Sequence, residues 1–351
     1  MQNIKSSSLT IERDIRFDGV IIHISIEDFL ALGFSYGDSV NLSFSNGESL
    51  IDVPFFTGYY IPFGLPVLVG YQGYPHIEFT FNYVGKVYKK LKLTDDITVT
   101  ISLNEKEKYI VRQNTFSQTH SNDRNDYDSD EEFANFREIT NCKNNNTLIY
   151  RSASPCDNAY NRSHYVSELC RKYDISYILD LSDTDETLKE YYNDSSVDNV
   201  YWKHLYELNR VKAFRLSANY HDEKYAKTII ELLRFIINND GPFLFHCSEG
   251  KDRTGFLSII ICCILNKAID YIEDDYMKTY DVYYRINKDT NRKSYDAIKT
   301  LYFDEMMTYI CNDKDYTKLS KEEISEYGKQ YLIRNSMNIK EIDIFLQKIL
   351  N

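Results

Sequence analysis

Residues 13–112 carry short apolar runs broken by turn signals: "GVIIHISI", "DSVNLSFSNGESLIDV", "FGLPVLVGYQGYPHIEFTF" and "DDITVTISL". Apolar alternation over a few residues between such breaks predicts β-strands. The "SNGES" step predicts a hairpin, because Asn-Gly tolerates the positive φ of a type I′ turn. Together these runs predict a smaller β-rich, barrel-like domain over residues 1–115. The stretch "SQTHSNDRNDYDSDEEFANFREI" (117–139) is polar and acidic, with no apolar periodicity until Phe133. That composition predicts an acidic linker at 116–132.

Beyond it the rhythm changes. "TLIYRS" (147–152), "SYILDL" (176–181), "KAFRLS" (212–217) and "PFLFHC" (242–247) read as apolar strands. Helical patterns around 162–173 and at 223–238 separate them, and 182–211 is mainly polar. Strands alternating with helices predict an α/β domain over 133–351, with a mostly parallel sheet flanked by helices on both faces. From Asp252 onward the spacing is helical, as in "YDAIKTLYFDEMMTYI" and "IKEIDIFLQKIL". These form a helical C-terminal extension.

Charge and composition narrow the possible functions. A chain of 351 residues that is 43% hydrophobic can bury a substantial core. A net charge of −12 without a basic stripe excludes nucleic acid as a partner and disfavours membrane lipid. The longest apolar run outside the strands, "FLSIIICCIL" (256–265), is about half of what crossing a bilayer requires. The first residues lack the apolar core of a secretion signal. Seven cysteines at irregular spacing, with no C-x-x-C pair, fit reduced thiols and neither a disulfide framework nor a zinc site. The expected location is therefore cytoplasmic, or secreted if a leader has been removed.

The chemistry concentrates in "PFLFHCSEGKDRTGF" (242–256). A strand delivers Cys247 to the carboxyl end of a parallel sheet, where α/β folds place their ligand crevices. Gly250 lets the backbone curl so that its N–H groups form an anion nest. A helix starting near Asp252 aims its dipole at the same point, and Arg253 can grip two phosphate oxygens with its planar fork. This surrounding positive potential should hold the Cys247 thiol well below its free value, ready to attack phosphorus. A second Cys-x5-Arg pair, Cys156 and Arg162, follows Ser-Pro and has no intervening glycine, so it reads as an accident of composition.

"HCSEGKDRTG" resembles the signature loop of cysteine-based protein tyrosine phosphatases. It is most similar to the bacterial tyrosine and dual-specificity enzymes, and lipid phosphatases, with Lys-Asp before the arginine. "FANFREI", "LIYRSASP" and "SYILDLSDTDE" match in the order that family shows, so the likeness spans roughly residues 130–350. "FGLPVLVGYQGYPHIEF" is more weakly similar to the small β-barrel domain of S-adenosylmethionine-using hydroxide adenosyltransferases, and no activity follows from it.

The resemblance implies a metal-independent phosphomonoesterase with a phosphocysteine intermediate and no cofactor. Its substrate would be a phosphotyrosine-containing protein or a small phosphorylated molecule, with phosphate or sulfate binding in the loop. A phosphoinositide phosphatase and a phosphate-dependent binding module with little turnover are the alternatives. Cys247 would be the nucleophile and Arg253 the phosphate clamp. Thr254 would hydrogen-bond the sulfur, and His246 would fix the cysteine backbone. Ser248, Glu249, Gly250, Lys251 and Gly255 would line the substrate site, with the Glu249 side chain turned outward to avoid repelling phosphate. Arg151 would brace the loop. Asp252 is the expected general acid, with Asp180 at a strand end and Asp222 before a helix as alternative acids.

Overall fold

The computed structural model describes residues 4–14, 18–71, 73–117, 119–139 and 148–350. The chain divides into two compact units, Met1–Thr119 with Asp296–Leu301, and His120–Tyr295 with Tyr302–Asn351. Among the described residues, no helix is long and apolar enough to cross a membrane.

Seven strands of the first unit close into a barrel: β1 (Leu9–Arg13), β2 (Val20–Ile22), β3 (Ser39–Phe44), β4 (Ser49–Phe56), β5 (Pro66–Val69), β6 (Ile77–Phe81) and β7 (Thr98–Glu105). Their order is β1-β2-β6-β5-β4-β3-β7, with β1 pairing back onto β7. Inward residues such as Val40, Leu42, Val53, Phe55, Phe79 and Ile101 fill it. The β3–β4 hairpin forms where Asn-Gly predicts it, but in another turn. Gly47 alone takes positive φ, at +92°, and Phe44 pairs around a three-residue loop with Glu48. Asn46 does not take positive φ, and its carboxamide oxygen accepts the Glu48 N–H at 3.1 Å.

The second unit holds a five-stranded sheet: β8 (Arg137–Glu138), β9 (Ile149–Ser152), β10 (Tyr177–Asp180), β11 (Val211–Ala213) and β12 (Phe243–His246). The order is β11-β10-β12-β9-β8, parallel except for β8, which runs antiparallel to β9. Thr147, at the start of the expected strand, lies outside the described residues. The strand expected at 212–217 stops at Ala213, because Arg215 adopts φ +39° and leaves the ladder. The segment read as polar contains two helices, Asp185–Asn193 and Val200–Glu207. The first is capped by Thr184, and each buries only one or two apolar side chains, Leu188 and then Trp202 with Leu205. So short an apolar stripe is weak in sequence.

Residues 120–132, expected as linker, are structured within the second unit. Asp123 and Ser129 cap the short helices Arg124–Asp126 and Asp130–Phe133. Tyr127 meets Phe133 edge-on at 5.1 Å, so two aromatics anchor a segment that is otherwise polar. The helix Asp252–Ile264 is buried along every face from Thr254 onward. Helices Ile269–Tyr284 and Lys321–Arg334 pack against it.

Candidate active site

In-register pairing sets Asp180 of β10 opposite His246 of β12, and His246 opposite Ser152 of β9. The carboxyl ends of three adjacent strands therefore converge beneath the loop Cys247–Lys251. Cys247 is 4% exposed. Gly250 has φ +68°, and a Cβ there would lie 2.2 Å from the Ser152 carbonyl oxygen. Only glycine permits both that dihedral and that approach.

The loop carbonyls are drawn outward. The Ser248 carbonyl accepts from the Ser154 N–H at 3.1 Å. The Asn135 carboxamide donates to the Glu249 and Gly250 carbonyls at 3.1 and 3.2 Å, and Arg151 adds a 2.7 Å bond to the Gly250 carbonyl. Within a planar peptide, C=O and N–H point opposite ways. Fixing these three carbonyls outward turns the N–H groups of Glu249, Gly250 and Lys251 inward, which makes the anion nest.

The supports are themselves held. Arg151 is fully buried and donates to the Asp275 carboxylate at 2.6 Å, which Arg137 also meets at 2.7 Å. Burial would raise the Asp275 carboxyl, but the two guanidiniums hold it below the ordinary value. Arg151 is thus a brace, as its sequence context suggested.

The remaining expected residues fall around this loop with distinct tasks. Arg253 sits one residue into the helix that leaves the loop, and its charge reaches Asp180, Asp183 and His246. His246 is fully buried, and burial pushes its pKa down to about 4, so the ring is neutral. The Thr254 hydroxyl is buried and makes no hydrogen bond with a described residue, so the bond to sulfur that the resemblance implies is not made here. The Gly255 N–H donates to the Lys251 carbonyl at 2.8 Å and closes the first helical turn instead of facing the nest.

Glu249 departs from the expectation of an outward side chain. It is 11% exposed and lies 3.1 Å from the Lys251 ammonium. Pairing, not exposure, removes its repulsion toward phosphate.

The three candidate acids and one further aspartate differ in their surroundings. Asp222 caps the helix Glu223–Asn238, accepting the Lys224 N–H at 2.9 Å. Asp180 is fully buried, accepts the Ser182 and Asp183 N–H groups at 2.7 and 3.0 Å, and stands 3.5 Å from the His246 ring. Burial pushes its pKa up. Asp252 keeps 40% of its side chain open, and desolvation raises its pKa as well. Asp183 is pushed up to about 7, first by burial and then by the neighbouring Asp180 charge. Burial and the Asp180 charge together favour the protonated form of Asp183. Sequence reasoning passed over Asp183, along with Asn135, Arg137 and Asp275.

Cys156, Asp180 and His246 bring three potential metal-ligating atoms within 4.8 Å of one another. Burial pushes the Cys156 thiol well up, and the Asp180 carboxylate already accepts two backbone N–H groups. The three read as a support beneath the loop. Arg162, the other half of the accidental pair, donates to the Phe133 carbonyl at 2.8 Å and stacks 4.4 Å from the Tyr283 ring.

A thiol at the floor of an N–H nest, with a helix start and an arginine above it, defines a cysteine-based, metal-independent phosphatase. The sequence model of the tyrosine phosphatase family matches residues 130–342, and the chain belongs to that family. A comparison with curated proteins finds no match. Among solved structures, the core catalytic domain of the PP-IP phosphatase SIW14 from S. cerevisiae, in complex with citrate, is 21% identical, with a TM-score of 0.27, covering 49% of this chain and 91% of its own. Another structure of the Siw14 catalytic core is 19% identical, with a TM-score of 0.26, covering 49% of this chain and 90% of its own.

Proposed function

We propose that this chain hydrolyses phosphotyrosine-containing proteins or small soluble phosphomonoesters through a phosphocysteine intermediate. The observation that carries this reading is the loop itself, with Cys247 at its base and three carbonyls held outward by Ser154, Asn135 and Arg151. Phosphate enters the nest and is gripped by Arg253, whose fork matches two of its oxygens. The Cys247 thiolate attacks phosphorus, the ester P–O bond breaks, and the leaving oxygen takes a proton. Water then attacks phosphorus, the S–P bond breaks, and the thiolate is regenerated.

Asp252 supplies the proton. It adjoins Arg253, stays reachable, and burial raises its affinity for a proton. Asp180 is enclosed and Asp222 is committed to a helix cap. The net charge of −12 supports soluble over membrane-embedded substrates. Among the described residues, six cysteines are free and buried, which supports a reducing, cytoplasmic setting.

A turnover panel of phosphotyrosine, phosphoserine and phosphatidylinositol phosphates tests the substrate class. Cys247→Ser should abolish turnover while phosphate still binds; residual turnover, or loss of wild-type activity with a chelator, overturns the mechanism. Asp252→Asn should depress phosphotyrosine hydrolysis by roughly 10²–10⁴-fold, and that of a highly activated aryl phosphate far less. A leaving-group-dependent loss in Asp183→Asn instead would move the acid to that residue.

A further inference from the structure

Within the loop, Lys251 faces inward charges on two sides. Its ammonium lies 3.1 Å from Glu249 and 4.0 Å from Asp252, with 13% of the side chain exposed. The Tyr284 hydroxyl stands 3.4 Å away and also donates to Glu249 at 3.3 Å. On the far side of Glu249, the His120 ring sits 4.0 Å off, packed against Tyr160, Tyr283 and Tyr284. Burial pushes the His120 pKa down to about 4, so at neutral pH it adds no cation. Burial also works against the Glu249 charge, but the Lys251 ammonium first, with Arg162 behind it, outweighs burial and holds the carboxyl below its ordinary value.

The one lysine of the loop itself is thus already paired with a carboxylate, 5.5 Å from the Tyr284 ring. A carboxylate beside the phosphate pocket would otherwise be a liability in a site built for anions, yet here it is fixed by three partners.

We infer that Glu249 is a specificity-determining residue: by holding Lys251 it removes the charge that a second, adjacent phosphate would need, so the site takes esters bearing an isolated phosphate. This rests on the phosphate-binding reading of the loop and deepens it to a substrate class. A vicinal or anhydride-linked second phosphate meets a compensated ion pair, whereas a single phosphate is served by the N–H groups and Arg253.

The test compares binding of inorganic phosphate and pyrophosphate to the full chain by calorimetry, which needs no turnover. Wild type should bind pyrophosphate no tighter than phosphate. Glu249→Gln keeps the shape and the Tyr284 contact but releases Lys251. It should tighten pyrophosphate relative to phosphate by about tenfold or more, the worth of a charge-assisted hydrogen bond. Glu249→Asp, which keeps the charge, should restore the wild-type ratio, and Glu249→Gln with Lys251→Met should lose the gain. A wild type that already prefers pyrophosphate overturns the inference. So does a Glu249→Gln variant that shifts both ligands equally. A chain that shows the expected ratios but hydrolyses no ester removes the catalytic reading alone.

Discussion

Substituting Gly250 by alanine isolates the backbone geometry of the loop from its side-chain chemistry. The new Cβ would sit 2.2 Å from the Ser152 carbonyl oxygen, 2.5 Å from its carbon and 2.9 Å from the Ala153 nitrogen. None of these atoms can swing aside. Ser152 is paired in β9 opposite His246, and the Ala153 N–H is bonded to the Ala134 carbonyl at 2.9 Å. The loop must move instead, which breaks the bonds from Asn135 and Arg151. The φ of +68° costs a side chain about 1–2 kcal/mol, and overpacking adds about 1–3, for a total of roughly 2–5 kcal/mol. For a unit of this size that lowers Tm by roughly 5–15 °C. A displacement of about 1 Å in the nest should cut kcat/KM by roughly 10²-fold. Scanning calorimetry with and without phosphate, beside kinetics on an activated aryl phosphate, reads both effects. Wild-type Tm, with phosphate stabilisation and kcat/KM intact, would refute the claim that this loop needs a left-handed residue pressed on β9.

Arg253→Lys should lose most activity while the fold survives, because an ammonium cannot reproduce the bidentate grip; kinetics within a fewfold of wild type would contradict that role. Arg151→Met removes one of the two donors to the Gly250 carbonyl and one of the two guanidiniums on Asp275, and should destabilise by about 1–3 kcal/mol, read from denaturant midpoints. An unchanged midpoint would show the brace to be idle. Asp183, raised to about 7 from an ordinary 3.8, favours its protonated form when folded, so its contribution is full in acid and is lost as pH rises toward 7. The Tm of Asp183→Asn relative to wild type should therefore climb between about pH 4 and pH 8. A pH-independent difference would mean that Asp183 does not hold its proton above the ordinary carboxyl range.

The loop was legible because its chemistry is contiguous. Strand, cysteine, glycine, arginine and helix start follow one another within residues 242–256, and each residue type has a local physical reason. The four parallel strands of the sheet were legible too, since burial on both faces leaves continuous apolar runs such as Phe243–Phe245, whereas the two-residue antiparallel β8 was not. What escaped is non-local. Asn135 reaches the loop from 114 positions away, and Asp275 meets Arg151 across 124. Asp183 lies in an unremarkable polar stretch, and its perturbed proton affinity comes first from burial and then from Asp180, which β10–β12 pairing sets beside His246. The orientation of Glu249 failed for a related reason. Its repulsion toward phosphate was foreseen, but its neutralisation two residues along the same loop was not.

The charges around Cys247 can be understood as one arrangement. Lys251 is matched by Glu249, and Arg151 and Arg137 by Asp275. Asp180 and Asp183 sit in the reach of Arg253, and burial favours the protonated form of each. Each pairing fixes a backbone or a side chain, and none places an uncompensated anion in the nest. The incoming phosphate is then held by backbone N–H groups, the helix start and Arg253, all preset before it arrives. Such a site has little tolerance for shifted carbonyls, because its attraction is made of oriented dipoles and not of mobile lysines. That is why the outer braces, Asn135 and Arg151, belong to the chemistry although neither touches the phosphate-facing side of the loop.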